Sequence, residues 1–113
     1  MKSEEAQKRE DKFMELFGRT YLNIAYPQNT SLEDVKSNLF EAIPSLQKRF
    51  QKIFDISKEQ EEQDFIAWQV GRLNNKINEL KQYEYTIFPT FFYVAGVSQA
   101  IQVYEAAFAD LIK

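Results

Sequence analysis

The chain has 113 residues, 44% of them hydrophobic and 15% aromatic, with only 3 Gly and 3 Pro, so it has room for one domain (residues 1–113) around one hydrophobic core. It contains no Cys and no His, which excludes disulfides, the usual zinc and iron–sulfur ligands, thiol nucleophiles and Ser-His-Asp relays. The net charge of −3 argues against nucleic acid as the main partner, because phosphate-binding domains are usually basic.

Apolar residues recur with helical periodicity along almost the whole chain, and no segment alternates as a half-buried strand does. Ser3, either Thr30 or Ser31, and Ser57 have the sequence context of helix N-caps, with acidic or amide residues in the turn that follows. Pro27, Pro44 and Pro89 are expected to interrupt helices. The sequence therefore predicts an all-α bundle of about five helices, at residues 3–25, 31–43, 45–56, 58–86 and 90–112.

The fifth predicted helix is apolar on most sides, which is typical of a helix that is central in its domain or covered by a partner. We expect it to be central, with Gly96 and Ala100 allowing another backbone to come close. It includes most of Tyr85–Tyr104, an uncharged run with the length of a membrane span. Because that run carries many polar groups, a buried helix is the better interpretation.

Trp68 is the most informative single residue, since it falls on the polar side of the fourth predicted helix with Asp64 and Arg72. Trp and Arg on a polar face are typical of protein-binding hot spots, and Arg72 is spaced to stack on the indole. We predict a protein-binding site formed by Trp68, Arg72, Asp64 and Glu61. The alternative is that Trp68 packs beneath the first helix or the N-terminal arm.

Two charged segments have both a functional and a structural interpretation. The run from Lys58 to Asp64 is acidic enough to contact a basic partner, or it compensates the dipole at a helix start. Lys48, Arg49 and Lys52 form a basic face on the third predicted helix, which could be the reading helix of a helix-turn-helix or simply a solvated face.

Two carboxylates, Glu84 and Glu105, lie beside apolar positions, but no third polar group converges on them in the sequence. We therefore predict no catalytic residue, no metal site and no cofactor. The aromatic run of residues 83–93 is either a hydrophobic corner of the core or an exposed adhesive surface.

These observations favour a small non-enzymatic protein that binds another protein, as an inhibitor, adaptor or immunity-type factor. In size and helical architecture, though not in any motif, the chain is similar to bacteriocin immunity proteins and to small phage or plasmid inhibitors. Its Lys, Ile, Asn, Phe and Tyr usage suits an AT-rich bacterial or phage genome.

The alternatives are a nucleic-acid-binding transcriptional regulator that uses residues 45–56 and a membrane-associated protein of the immunity type, and a homodimer is left open. Met1 and Lys2 lead into charged residues and not into a signal peptide, so we expect a cytoplasmic protein.

Overall fold

Residues 2–112, which the computed structural model describes, contain helices and the turns between them, and no strand. Met1 and Lys113, the terminal residues of the predicted domain, lie outside this range. The helices are α1 (Glu4–Asn23), α2 (Leu32–Ile56), α3 (Gln60–Gln82), α4 (Ile87–Ala100) and α5 (Gln102–Ala107). Ile101 keeps right-handed helical dihedral angles between α4 and α5, so these two segments act as one interrupted helix. The all-α prediction is confirmed, with four long helices where five were expected.

The first two N-caps lie where the sequence places them. The Ser3 hydroxyl accepts a hydrogen bond from the Ala6 amide at 3.1 Å, and the Ser31 hydroxyl accepts one from the Asp34 amide at 3.1 Å. Each bond satisfies an amide that has no partner within the helix. The starts of α1 and α2 were therefore predictable to within a residue.

The predicted break at Pro44 is wrong, because residues 31–43 and 45–56 belong to the single helix α2. Pro44 is exposed, so its ring lies on the side of α2 that faces away from the core. One buried stripe with helical spacing continues through it: Val35, Leu39, Ile43, Leu46, Phe50 and Ile53. Burying these side chains gives about 1.5–3 kcal/mol each, which outweighs a proline penalty of about 3 kcal/mol.

The later boundaries also differ from the prediction. Ser57 is not the N-cap of α3 but follows the end of α2, and its hydroxyl donates to the buried Glu62 carboxylate at 2.7 Å. Helix α3 ends at Gln82 and not at residue 86, because a 3₁₀ turn at Glu84–Thr86 intervenes. The Thr86 hydroxyl donates to the Tyr83 carbonyl within this turn, at 2.6 Å. The helix predicted at 90–112 begins earlier, at Ile87, and its last helical segment ends at Ala107. It can begin there because Pro89 lies inside the first turn of α4, where a missing amide proton costs little.

The helices alternate in direction along the chain. Arg9 pairs with Glu62 and Phe13 contacts Phe65, so residue numbers rise together in α1 and α3 and these helices are parallel. Contacts of α1 with α4 and α5 run the opposite way, from Phe17 on Tyr93 to Phe13 on Tyr104. The molecule is an up-and-down bundle with extents of 43 × 26 × 25 Å.

Helix α4 packs against α1, α2 and α3. At Gly96 the approach of α1 is so close that a Cβ atom would lie 2.8 Å from Phe17 Cδ2 and 3.2 Å from the Phe17 carbonyl oxygen. The glycine expected to admit another backbone therefore does so. The fully buried part of the core includes Phe13, Ile43, Phe50, Ile53, Ile66, Leu73, Leu80, Ile87, Val97, Ile101 and Tyr104.

Candidate functional site

Trp68 lies on the outer side of α3 with 55% of its surface exposed, and not beneath α1 as in the alternative interpretation. The guanidinium carbon of Arg72, one turn later, is 4.8 Å from the centre of the indole ring and 4.7 Å from the centre of the Tyr93 ring. The hydroxyl of Tyr93, a residue of α4, donates to Gln69 Oε1 of α3 at 3.3 Å. This bond holds the Tyr93 ring against α3. Arg72 is thus held between helices α3 and α4 by two aromatic contacts.

The surroundings of the indole leave it accessible. Met14 of α1, 49% exposed, and Trp68 border the same shallow cavity above Tyr93. On α3 itself, Ala67 and Gly71 are small and exposed, and a Cβ atom added at Gly71 would meet no other atom within 4 Å. The indole therefore projects beyond its neighbours on the helix.

The two acidic members of the predicted site lie on the same helix, towards its start. Asp64, one turn before Trp68, is exposed and accepts a hydrogen bond from Gln60 Nε2 at 2.8 Å. Glu61 is exposed in the first turn. We call Met14, Glu61, Asp64, Trp68 and Arg72 the Trp68 surface.

Two other carboxylates of the acidic run have structural roles. The Glu62 side chain, only 2% exposed, accepts from Arg9 Nε at 2.7 Å and from Arg9 Nη2 at 3.0 Å. Glu59 accepts from the Ser3 amide at 2.8 Å and from the Ser3 hydroxyl at 2.7 Å. These bonds fasten the start of α1 to the start of α3, so the run supplies less of an outward acidic patch than its composition suggests.

These hydrogen bonds also shift the pKa values of Arg9 and of Glu59. The hydrogen bonds that Glu62 accepts raise the pKa of Arg9, against the opposing effect of burial. The hydrogen bonds from the Ser3 hydroxyl and amide lower the pKa of the Glu59 carboxyl. Both shifts favour the charged forms that hold this end of the bundle together.

The basic face on residues 45–56 is also partly used within the fold. Arg49 donates from Nε and Nη2 to the two carboxylate oxygens of Glu105, at 2.8 and 2.6 Å. This pair joins α2 to α5 and accounts for Glu105, one of the two carboxylates singled out in the sequence. Since α2 is continuous through Pro44, the turn of a helix-turn-helix is absent from this segment.

The aromatic run of residues 83–93 divides between core and surface. Tyr93 is buried and Phe91 and Phe92 are half-buried, whereas Tyr83, Tyr85 and Phe88 are exposed. The exposed rings lie at the end of the bundle where α1 and α3 finish. Of the ten exposed large apolar side chains among residues 2–112, seven lie at this end, which we call the apolar end: Tyr21, Leu22, Ile24, Leu32, Tyr83, Tyr85 and Phe88.

A cavity of about 250 Å³ opens between α2 and α4, beside the loop that follows α1. Its walls are mainly apolar, with Val35, Leu39, Phe91 and Val94 among them, and its lining includes no charged side chain. It therefore offers no group for acid–base chemistry.

Residues 2–112 contain neither a helix that could span a membrane nor a cluster of metal ligands. None of the helices in this range combines the length and the apolar character that crossing a membrane requires. Within the same residues, no three carboxylates come together as metal ligands would.

Comparisons of the chain with models of protein families, with curated proteins and with solved structures found no match.

The sequence did not predict Met14, a member of the Trp68 surface, or Tyr93, which contacts Arg72 of that surface. Tyr93 is the second ring on Arg72, and Met14 comes from α1, so neither belongs to the helix that carries Trp68. The sequence signal for Tyr93 was an aromatic run with two interpretations, and Met14 had no signal beyond its exposed helical position. Only the packing of three helices brings these residues together.

Proposed function

We propose that the chain is a non-enzymatic protein-binding module, an inhibitor, adaptor or immunity-type factor that binds another protein through the Trp68 surface. One observation carries the proposal: an exposed indole stands beside a guanidinium that two rings already hold in place. Trp and Arg are the residue types most enriched among side chains that dominate interface energies.

The fixed position of Arg72 supports this function energetically. A free arginine side chain loses about 1.5–2 kcal/mol of conformational entropy when a partner orders it. Here the contacts with Trp68 and Tyr93 restrict the side chain before any partner arrives, so binding would cost less.

The charges around the indole indicate the chemistry of the partner. Asp64 and Glu61 are exposed on the side of Trp68 that leads to the start of α3. A complementary protein would offer an apolar pocket for the indole and Met14, with Lys or Arg beside it for the carboxylates.

Quantitative affinity capture tests the proposal, with the protein as bait and extracts of cells that naturally make it. We expect Trp68→Ala to weaken retention of the specific partner by about thirtyfold or more, equal to 2 kcal/mol. Arg72→Lys should have a smaller effect in the same direction, since it keeps the charge and loses the planar contact.

Leu111→Ala is the matched control, because Leu111 is 64% exposed and lies near the opposite end of the bundle from the apolar end. This variant should retain the partner as the unmodified protein does. Equal retention by Trp68→Ala and Leu111→Ala would contradict the proposed surface.

A further inference from the structure

The apolar end is a second surface, and it is separate from the Trp68 surface. Leu22 is 78% exposed and Tyr85 is 75% exposed, so both side chains project into solvent. Exposed apolar side chains gathered at one end of a small domain mark an interaction site. The elements that contribute to it are the end of α1, the start of α2, the turn after α3 and the start of α4.

The exposed ring of Phe88 packs against neighbouring aromatic rings. The Tyr26 ring centre is 5.0 Å from that of Phe88 and 5.2 Å from that of Phe91, and Phe88 is 5.0 Å from Phe92. Rings packed against one another in this way lose little freedom when a partner covers them. The part of the surface around Phe88 is therefore preformed for binding.

Charges around the apolar end are of both signs. Glu33, Asp34 and Glu84 are acidic, and Lys36 and Lys81 are basic. A lipid surface would favour an excess of basic over acidic residues. The apolar end has no such excess. A rim of mixed sign suits a partner that presents the same mixture, because a twofold axis can bring the acids of one copy to the bases of the other.

The size of the apolar end fits a weak dimer. The bundle measures 26 × 25 Å across its two shorter axes. A contact over such an end would remove roughly 500 Å² from each protomer, about 1,000 Å² in total, which is near the lower limit for a specific interface.

From these observations we infer that the apolar end binds a second copy of this chain, giving an end-to-end dimer about a twofold axis. The Trp68 surface lies more than two helical turns away, on the side of the bundle, and stays free in this dimer. The inference does not depend on the proposed function.

Sedimentation velocity and small-angle X-ray scattering over a concentration series test the inference. We expect a reversible dimer in the micromolar range whose longest dimension is nearly twice that of the monomer, since the contact extends the 43 Å axis. The double variant Leu22→Ser/Tyr85→Ser should weaken the dimer at least tenfold. Both side chains are exposed, so circular dichroism should show the fold unchanged.

Leu111→Ser is the control, because it removes an exposed apolar side chain near the other end; it should dimerise normally. The inference is overturned by a protein that stays monomeric at millimolar concentration, by a dimer of nearly monomeric length, or by a dimer that Leu22→Ser/Tyr85→Ser leaves intact. A monomer that partitions onto lipid vesicles through Leu22 and Tyr85 would assign this surface to a membrane and would also overturn it.

Discussion

The indole of Trp68 is exposed, and the guanidinium carbon of Arg72 lies 4.8 Å from its ring centre. The helical spacing of Trp68 from Asp64 and Arg72 indicated an outward position, and its size indicated burial. Exposure of 55% decides between the two. The stacking of Arg72 on the indole was predictable from a separation of four residues, whereas the contact of Arg72 with Tyr93 joins residues of different helices and was not.

Trp68→Ala should leave the fold almost unchanged. We expect the free energy of unfolding to fall by about 1–2 kcal/mol, because the cation–π contact with Arg72 and the packing of the covered part of the indole are lost together. Phe50→Ala, which empties a fully buried position, should cost about 3–5 kcal/mol. Urea unfolding followed by circular dichroism measures both variants, and a loss at Trp68 comparable to that at Phe50 would show that the indole is part of the core.

Glu59 should make stability depend on pH in the acid range. Its pKa in the folded protein is lowered from the ordinary value of 4.5 by hydrogen bonds from Ser3. The carboxylate therefore stabilises the fold above the pKa of the unfolded chain, and this contribution is lost as the pH falls through the lower folded pKa. We expect Glu59→Gln to be less stable than the unmodified protein at pH 7 and the difference to shrink towards acid pH.

Urea unfolding at several pH values measures that difference, with Glu33→Gln, at the exposed start of α2, as the control for the substitution itself. A stability difference between Glu59→Gln and the unmodified protein that stays constant down to the acid end of the series would be incompatible with the hydrogen bonds from Ser3.

At the scale of elements, local signals located the helices but failed at Pro44, at Ser57 and at Pro89. Side-chain caps were readable because they involve residues three positions apart, as Ser3 and Ser31 show. The break predicted at Pro44 is wrong because the free-energy cost of a proline inside a helix is smaller than the gain from burying the apolar stripe on the other side of α2. That burial depends on α3 and α4, so it could not be read from the residues around Pro44.

The two prolines inside helices should respond differently to substitution. Pro44→Ala restores a hydrogen bond in the middle of α2, and we expect it to stabilise the protein by about 1–3 kcal/mol. Pro89→Ala, in the first turn of α4, should change stability by much less, because an amide there has no partner within the helix. Thermal unfolding compares them, and an equal response would mean that Pro44 does not disturb α2.

Substituting alanine for Gly96 and for Gly71 should change the free energy of unfolding in opposite directions. Gly96→Ala would place a Cβ atom 2.8 Å from Phe17 Cδ2, and we expect a loss of about 1–3 kcal/mol from overpacking α1 against α4. Gly71→Ala meets no atom within 4 Å and should gain about 0.5–1 kcal/mol from helix propensity. Chemical unfolding measures both, and a neutral or stabilising Gly96→Ala would contradict the close approach of the two helices.

For the whole molecule, the fold class followed from periodicity, while the arrangement of the helices required tertiary structure. Arg9 and Glu62 are 53 residues apart in the chain, and no local pattern pairs them. Their bond fastens one end of the bundle, and seven exposed apolar side chains occupy the other. One end of the bundle is therefore polar and ion-paired and the other is apolar. The overall charge of −3 does not indicate this difference.

The central claim, that the Trp68 surface binds another protein, is tested most directly by photocrosslinking in cells that naturally make the chain. A benzophenone amino acid is placed at position 68 or, as a control, at the exposed position 51 on α2. We expect irradiation to give one discrete heavier product from position 68, containing a different protein, and none from position 51. The same products from both positions, or none from position 68 in cells where the protein is folded, would contradict the claim.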